Sequence, residues 1–199
     1  RNRLSALTEV SDRKAVDYNS WGSVAVKLKK ILRLPRPPLK IEAFDVSNIS
    51  GKEAAGSMVY FNNGKPDKSN YRKFRIKSVK GIDDYAMMKE IVARRYKRLK
   101  EEKKAFPDLI IIDGGKGHLQ AAYEELLELN LSRIPVIGIA KQEERIYTLG
   151  SQKPININKD SEILHFIQSI RDEAHRFALS YHHKLRSKFV NSQTSHTRL

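Results

Sequence analysis

Cysteine is absent from the 199 residues, so the chain contains no disulfide, no thiolate zinc site and no cysteine nucleophile. Long apolar runs are also missing, and no stretch approaches the roughly 20 residues that a membrane-spanning helix needs. The first residues are charged and do not contain the apolar segment of a secretory signal. These absences predict a cytoplasmic protein that does not insert into a membrane.

Acidic residues are scarce relative to basic ones. The 38 lysines and arginines exceed the 23 aspartates and glutamates, which leaves a formal net charge of +15. A positive charge of this size favours a polyanionic partner, with nucleic acid ahead of an anionic membrane. A basic protein without such a partner is the alternative.

Composition divides the chain into an arm, a main domain and a tail. Residues 1–34 have only a weak helical rhythm, and the proline-rich stretch 34–38 is a stiff spacer that stops a helix. We therefore predict an arm or linker at 1–34, the main domain at 35–190 and a polar tail at 191–199. The apolar patterns of the domain predict strands at 41–47, 54–61 and 69–76, a helix from 81–85 to about 104, a strand at 109–112, a helix from 116, strands at 134–140 and 146–149, and a helix from 160.

The stretch from Pro107 to Leu119 is the most informative part of the sequence. Residues 109–112 are apolar and mostly β-branched, which is typical of a strand buried on both faces. Asp113 follows at the end of this strand, and three glycines in the next four positions allow a sharp turn into a helix. A junction of this kind is a usual ligand site in an open sheet.

Three interpretations of Asp113 stay open at this point. Its carboxylate could cap the following turn or helix, as Asp before Gly often does. The glycines could instead cradle a phosphate, but His118 follows Gly117 where a phosphate-binding loop needs Ser or Thr. The third interpretation is a metal-binding carboxylate, which requires partners elsewhere in the chain.

Asp45 is the first candidate partner, because an acid inside an apolar strand is unfavourable unless something binds it. The predicted order of elements matches a ribonuclease H-like α/β fold, in which a mixed sheet of three antiparallel strands and then parallel strands is flanked by helices. The first strand then lies beside the fourth, so Asp45 and Asp113 stand side by side. Two close carboxylates stay ionised only with a cation between them, or else one pKa rises. Hard oxygen ligands suit Mg²⁺ or Mn²⁺.

Other charged residues have two interpretations each. His175 lies on the flank of the last helix, where a lone histidine is most often only half-buried. Asp83 and Asp84 begin a helix, so capping is the default explanation of at least one. Basic side chains are usually solvated, but in this chain they are candidates for phosphate contacts. The predicted DNA-binding residues are Lys73, Arg75, Lys89, Arg94, Arg95, Lys116 and Arg171.

Four stretches, at 41–47, 81–88, 109–117 and 170–178, resemble the C-terminal endonuclease half of UvrC, the incision subunit of bacterial nucleotide excision repair. The resemblance implies a ribonuclease H-like fold whose Asp-Asp-His triad cuts DNA on the 5′ side of a lesion. Asp45, Asp113 and His175 fall on the triad, and Asp84 falls on a further acidic position. Damaged double-stranded DNA, UvrB and indirectly UvrA are the implied partners.

The resemblance also implies roles and a larger protein. Asp45 and Asp113 would bind Mg²⁺ or Mn²⁺, and His175 would activate or orient the attacking water, which makes a single-metal site plausible. The family's GIY-YIG nuclease, its UvrB-binding segment and its helix-hairpin-helix motifs are not visible in this sequence, so we expect the 5′-incision domain, with a tail leading toward the missing motifs. The alternatives are a DNA-binding scaffold with an inactive site and a nucleotide-binding enzyme.

Overall fold

The computed structural model describes residues 21–49, 53–79, 81–140 and 145–194. Over these residues it forms a mixed α/β fold. The elements in chain order are α1 (Trp21–Leu32), β1 (Lys40–Ile49), β2 (Glu53–Asn62), β3 (Lys65–Pro66), a short 3₁₀ helix (Lys68–Asn70), β4 (Arg72–Arg75), α2 (Asp84–Glu101), β5 (Leu109–Asp113), α3 (Lys116–Glu128), β6 (Val136–Ala140), β7 (Arg145–Thr148) and α4 (Glu162–Thr194). None of the helices in this part of the chain is long and apolar enough to cross a membrane.

The sheet has the predicted ribonuclease H-like order. Within the described residues its seven strands run β3-β2-β1-β5-β6-β7, and β4 pairs with β2. The β1–β2, β2–β3, β2–β4 and β6–β7 pairs are antiparallel, while β1–β5 and β5–β6 are parallel. The prediction of antiparallel strands followed by parallel strands is confirmed.

The third predicted strand and the last helix differ from their predicted extents. The third antiparallel strand shrinks to Arg72–Arg75, because Asp67 accepts hydrogen bonds from Ser69 N (3.1 Å) and Asn70 Nδ2 (2.8 Å) and holds the preceding residues in the 3₁₀ turn. The last helix continues to Thr194, so the predicted polar tail begins inside α4, and residues 195–199 lie outside the described residues.

The two faces of the sheet bury different helices. Ile41 and Ala43 of β1 pack in one apolar cluster with α1 and α4, whereas Phe44 and Val46 pack in the other with α2 and α3. Side chains alternate along a strand. Asp45 therefore continues the row that faces α4, and the same alternation along β5 gives Asp113 that face.

Helix α1 belongs to the core of the α4 side. Trp21 contacts Phe166 of α4 with ring centroids 4.6 Å apart, and Val24 and Leu28 are buried beside it. The domain limits at 34 and 190 stay predictions, but part of the predicted arm packs with the last helix.

Candidate active site

Asp45 and Asp113 lie on neighbouring parallel strands at the same edge of the sheet. The register pairs Phe44 of β1 with Ile112 of β5, and each aspartate comes one residue later in its strand. Both residues are buried, with only 1% of Asp45 exposed. The side-by-side placement predicted from the order of elements is therefore confirmed, although the two strands are more than 60 residues apart in the chain.

His175 completes the cluster from helix α4. Its Nδ1 lies 3.4 Å from Asp45 Oδ2, and half of its side chain is exposed. One potential ligand atom from each of Asp45, Asp113 and His175 lies within 4.8 Å of the others. The site thus has two buried carboxylates at its floor and an imidazole at its open side.

The charges of this cluster suit a divalent cation. Two ionised carboxylates this close repel each other, and burial makes the repulsion stronger because water screens it less. A cation between them removes the conflict. The carboxylate oxygens of Asp45 and Asp113 are hard ligands, and the imidazole of His175 lies within reach of the same point. The residues present therefore fit a divalent cation.

Sequence reasoning missed the contacts that hold the His175 turn of α4. Ser57 on β2 is the cross-strand partner of Asp45, and its buried Oγ donates to the carbonyl of Ala174 at 3.4 Å. Tyr71 donates to Glu173 Oε1 at 2.9 Å, and the hydrogen bond from Arg176 lowers the pKa of the Glu173 carboxyl. A serine in an apolar strand was the available signal, but only the fold shows what it bonds.

The turn after Asp113 is also closely packed. A Cβ at Gly138 of β6 would lie 2.8 Å from the Gly114 carbonyl oxygen, so only glycine leaves room for this turn. Gly115 is the N-cap of α3 and provides no side-chain cap, so Asp113 is not the N-cap residue of this helix. The glycine between two isoleucines was a sequence signal for this close approach that the sequence analysis did not use.

Asp84 is the first residue of α2 and is not part of the three-residue cluster. Asp83 is the N-cap and accepts a 2.9 Å hydrogen bond from the Ala86 backbone N–H, which confirms the capping prediction for one of the two acids. Asp84 is partly buried, and its Oδ1 has no hydrogen-bond partner among the described residues. The start of α2 lies next to the start of α3, as the packing of Tyr85 on Gly117 and His118 shows.

Most of the predicted DNA-binding residues are at least partly exposed. Arg75 and Lys116 are exposed, while Lys73, Lys89 and Arg94 are intermediate. Lys73 lies over the Phe177 ring at 4.7 Å, which places it near the His175 turn. Arg171 is mostly buried and pairs with Asp172 at 2.9 Å. Their contacts with DNA stay predictions.

Arg95 does not fit this prediction. It is only 9% exposed, and its guanidinium binds Glu42 of β1 through Nε at 3.1 Å and through the terminal nitrogen at 2.5 Å. A guanidinium that is buried and bonded to a carboxylate is not accessible to a phosphate of DNA. Arg95 is therefore a structural cation of the α2–β1 interface.

Residues 29–179 match the model of the family described as the UvrC RNAse H endonuclease domain. The chain belongs to this family. The match covers all four stretches that carried the resemblance and includes Asp45, Asp113, His175 and Asp84.

Curated relatives of the family are much longer than this chain. The UvrABC system protein C of Methanosarcina mazei is 54% identical over 161 residues, which cover 81% of this chain and 31% of the relative. That of Methanococcus maripaludis is 55% identical over 183 residues, covering 92% and 34%. That of Solibacter usitatus is 50% identical over 194 residues, covering 94% and 31%. The chain therefore spans about a third of the length of these relatives.

Solved structures with a related shape include endonuclease V. The Ciona intestinalis enzyme, in complex with a 24mer DNA containing an inosine followed by a ribo-adenosine, has a TM-score of 0.46 and 14% identity over 84% of this chain and 98% of that chain. Human endonuclease V has a TM-score of 0.38 and 18% identity, covering 62% and 59%. The fold assignment itself rests on the strand order and the family match.

Proposed function

We propose that this domain is a divalent-metal-dependent endonuclease that hydrolyses a DNA phosphodiester and makes the cut on the 5′ side of a lesion in nucleotide excision repair. The observation that carries the proposal is the cluster of Asp45, Asp113 and His175, whose ligand atoms lie within 4.8 Å in a chain of the UvrC endonuclease family. The net charge of +15 favours a nucleic acid as the substrate.

The residues of the cluster take different roles. Asp45 and Asp113 would hold Mg²⁺ or Mn²⁺, which when bound neutralises the charge that builds on the phosphate. Nδ1 of His175 faces Asp45 and half of the side chain is exposed, so we assign the proton-accepting role to Nε2. That nitrogen takes the proton of the attacking water as the new oxygen–phosphorus bond forms and the bond to the leaving oxygen breaks. Asp84, on the neighbouring helix start, would support the site without belonging to the three-residue cluster.

The proposed partners follow from the relatives' names. Proteins named UvrABC system protein C match over most of this chain. We propose that the domain acts on damaged double-stranded DNA together with UvrB, through a segment outside these 199 residues, and with UvrA through UvrB.

The test compares Asp45→Asn with His175→Ala in a nicking assay over a manganese titration and a range of pH. Asp45→Asn removes the charge of a proposed metal ligand but keeps its shape, so we expect loss of incision and weaker Mn²⁺ binding by calorimetry. It also relieves carboxylate repulsion, so the melting temperature should not fall. His175→Ala should slow incision by about 10²- to 10⁴-fold while Mn²⁺ affinity stays near that of the unchanged chain.

Matched controls are available on the same elements or nearby. His165→Ala changes an exposed histidine of α4, and Asp160→Asn changes an exposed aspartate just before it. Both variants should cut like the unchanged chain. Full activity of Asp45→Asn would refute the metal site, and recovery of His175→Ala at high Mn²⁺ would make His175 a metal ligand. Intact DNA binding without any nicking by the unchanged chain would instead favour a scaffold.

A further inference from the structure

Two exposed apolar side chains stand together at the start of α2. Ile82 is 75% exposed and Tyr85 is 52% exposed, on either side of the N-cap Asp83. The other large apolar side chains exposed in the described part of the chain are separated from this pair and from one another in sequence, at Val26, Leu39, Leu127 and Leu179. Neither helix packing nor capping explains why an aromatic ring and an isoleucine remain in water here.

A continuous series of contacts joins Tyr85 to the candidate active site. Its ring lies on His118 with centroids 4.7 Å apart, and a Cβ at Gly117 would come within 2.6 Å of Tyr85 Cε1. His118 in turn packs on Gly114, the residue after Asp113, where a Cβ would be 2.6 Å from His118 Cγ. Gly114 and the imidazole of His118 therefore link Asp113 to Tyr85 in one series of contacts.

Tyr85 and His175 belong to helices that cover opposite faces of the sheet. Helices α2 and α3 cover one face of the sheet and α4 covers the other. Asp113 ends β5 and α3 begins three residues later, next to the start of α2, so a DNA strand bound at the carboxylates that extends toward the α2–α3 side would lie near Tyr85.

The chemistry around Tyr85 favours a base over a phosphate. The carboxylates of Asp83 and Asp84 flank the patch and would repel a phosphate placed against it. A nucleobase is neutral and flat, and aromatic side chains stack on bases of any sequence. His118 supports Tyr85 from within the protein, so the ring is held in place, and little conformational freedom is lost on stacking.

We propose that Tyr85, with Ile82 at its edge, is a stacking surface for an unpaired base of the DNA strand that is cut. The inference rests on the proposed nuclease function. In an intact duplex both faces of a base are covered by its neighbours, so this surface selects DNA that is locally opened beside the scissile phosphate. Tyr85 thereby acts as a specificity residue and not as part of the catalytic cluster.

The test measures binding of the full 199-residue chain to two DNA duplexes of matched sequence, one fully paired and one with a central unpaired loop. EDTA prevents cutting, and a fluorescent base analogue in the loop reports stacking. We expect Tyr85→Ala to weaken binding to the loop duplex by about five- to tenfold and to remove the quenching. Tyr85→Phe keeps the ring and should bind like the unchanged chain. Ile82→Ser, which alters a side chain with little packing, should weaken loop binding in the same direction.

The control is Leu127→Ala, since Leu127 is 47% exposed on α3 but is not in the patch. It should leave both affinities unchanged. The salt dependence of Tyr85→Ala should equal that of the unchanged chain, because no phosphate contact is lost. If Tyr85→Ala binds the loop duplex as tightly as the unchanged chain does, the inference is wrong, and this is the result expected of a surface that binds another protein. Equal weakening of binding to both duplexes, or a smaller salt slope, also overturns the inference. Failure of the unchanged chain to nick DNA in Mn²⁺ overturns the proposed function instead.

Discussion

Because Arg95 is paired with the buried Glu42, we predict that replacing Arg95 destabilises the fold but does not remove a phosphate contact with DNA. Glu42 is buried in β1. It accepts hydrogen bonds from Arg95 at both carboxylate oxygens and one from the Tyr96 hydroxyl to Oε2 at 2.9 Å. Replacing Arg95 with methionine keeps an unbranched apolar stem but removes the guanidinium cation. Glu42 is then left in the core beside the Tyr96 hydroxyl alone.

Removal of one partner from a buried ion pair lowers the free energy of unfolding by about 3–5 kcal/mol. For a chain of this size, a loss of that magnitude corresponds to a decrease of about 6–20 °C in melting temperature. Arg98→Met is the matched control on the same helix, because the Arg98 side chain is 68% exposed and its partner Glu102 lies at the surface. We expect no measurable change in stability for the control.

Urea unfolding and DNA binding at several salt concentrations measure the two effects separately. The double variant Glu42→Leu with Arg95→Met should be more stable than Arg95→Met alone, because no charge is left buried. The slope of log affinity against log salt should be unchanged in folded Arg95→Met. Loss of a phosphate contact would reduce that slope by about 0.9. A normal melting temperature together with a reduced slope would show that Arg95 is a DNA ligand and that the structural argument is wrong.

Two further predictions concern the support of the active site. Ser57→Ala removes the hydrogen bond to the Ala174 carbonyl and should lower kcat about tenfold by displacing His175. The free energy of unfolding should fall by only about 1 kcal/mol. An unchanged kcat would contradict a positioning role for Ser57. Gly138→Ala places a Cβ against the Gly114 carbonyl oxygen, so we expect weaker Mn²⁺ binding by calorimetry and about 1–3 kcal/mol lower stability in urea unfolding. The control Gly22→Ala, where a Cβ meets nothing within 4 Å, should bind Mn²⁺ normally, and equal behaviour of both variants would argue against the close approach.

Local sequence patterns were sufficient to predict several elements of this fold. Four apolar residues, Asp113 and a glycine turn are consecutive in the chain, so their strand, its end and the following helix could be predicted without any tertiary contact. The order of elements then placed β1 beside β5, because few topologies connect such elements. Each acid follows one member of the register pair Phe44–Ile112, so the two carboxylates lie side by side once β1 and β5 are neighbours.

Only the tertiary structure distinguishes residues that look alike in the sequence but have different roles. Arg94, Arg95 and Arg98 are equally basic in sequence, but only Arg95 turns toward a carboxylate that lies 53 positions earlier. Ser57 and Ala174 are 117 positions apart, so no local pattern could reveal the bond that holds the His175 turn. Helix periodicity shows which face of a helix is apolar but not what the opposing strand presents to it. Partners that are distant in the chain determine whether a charge lies in the core, at the active site or in water.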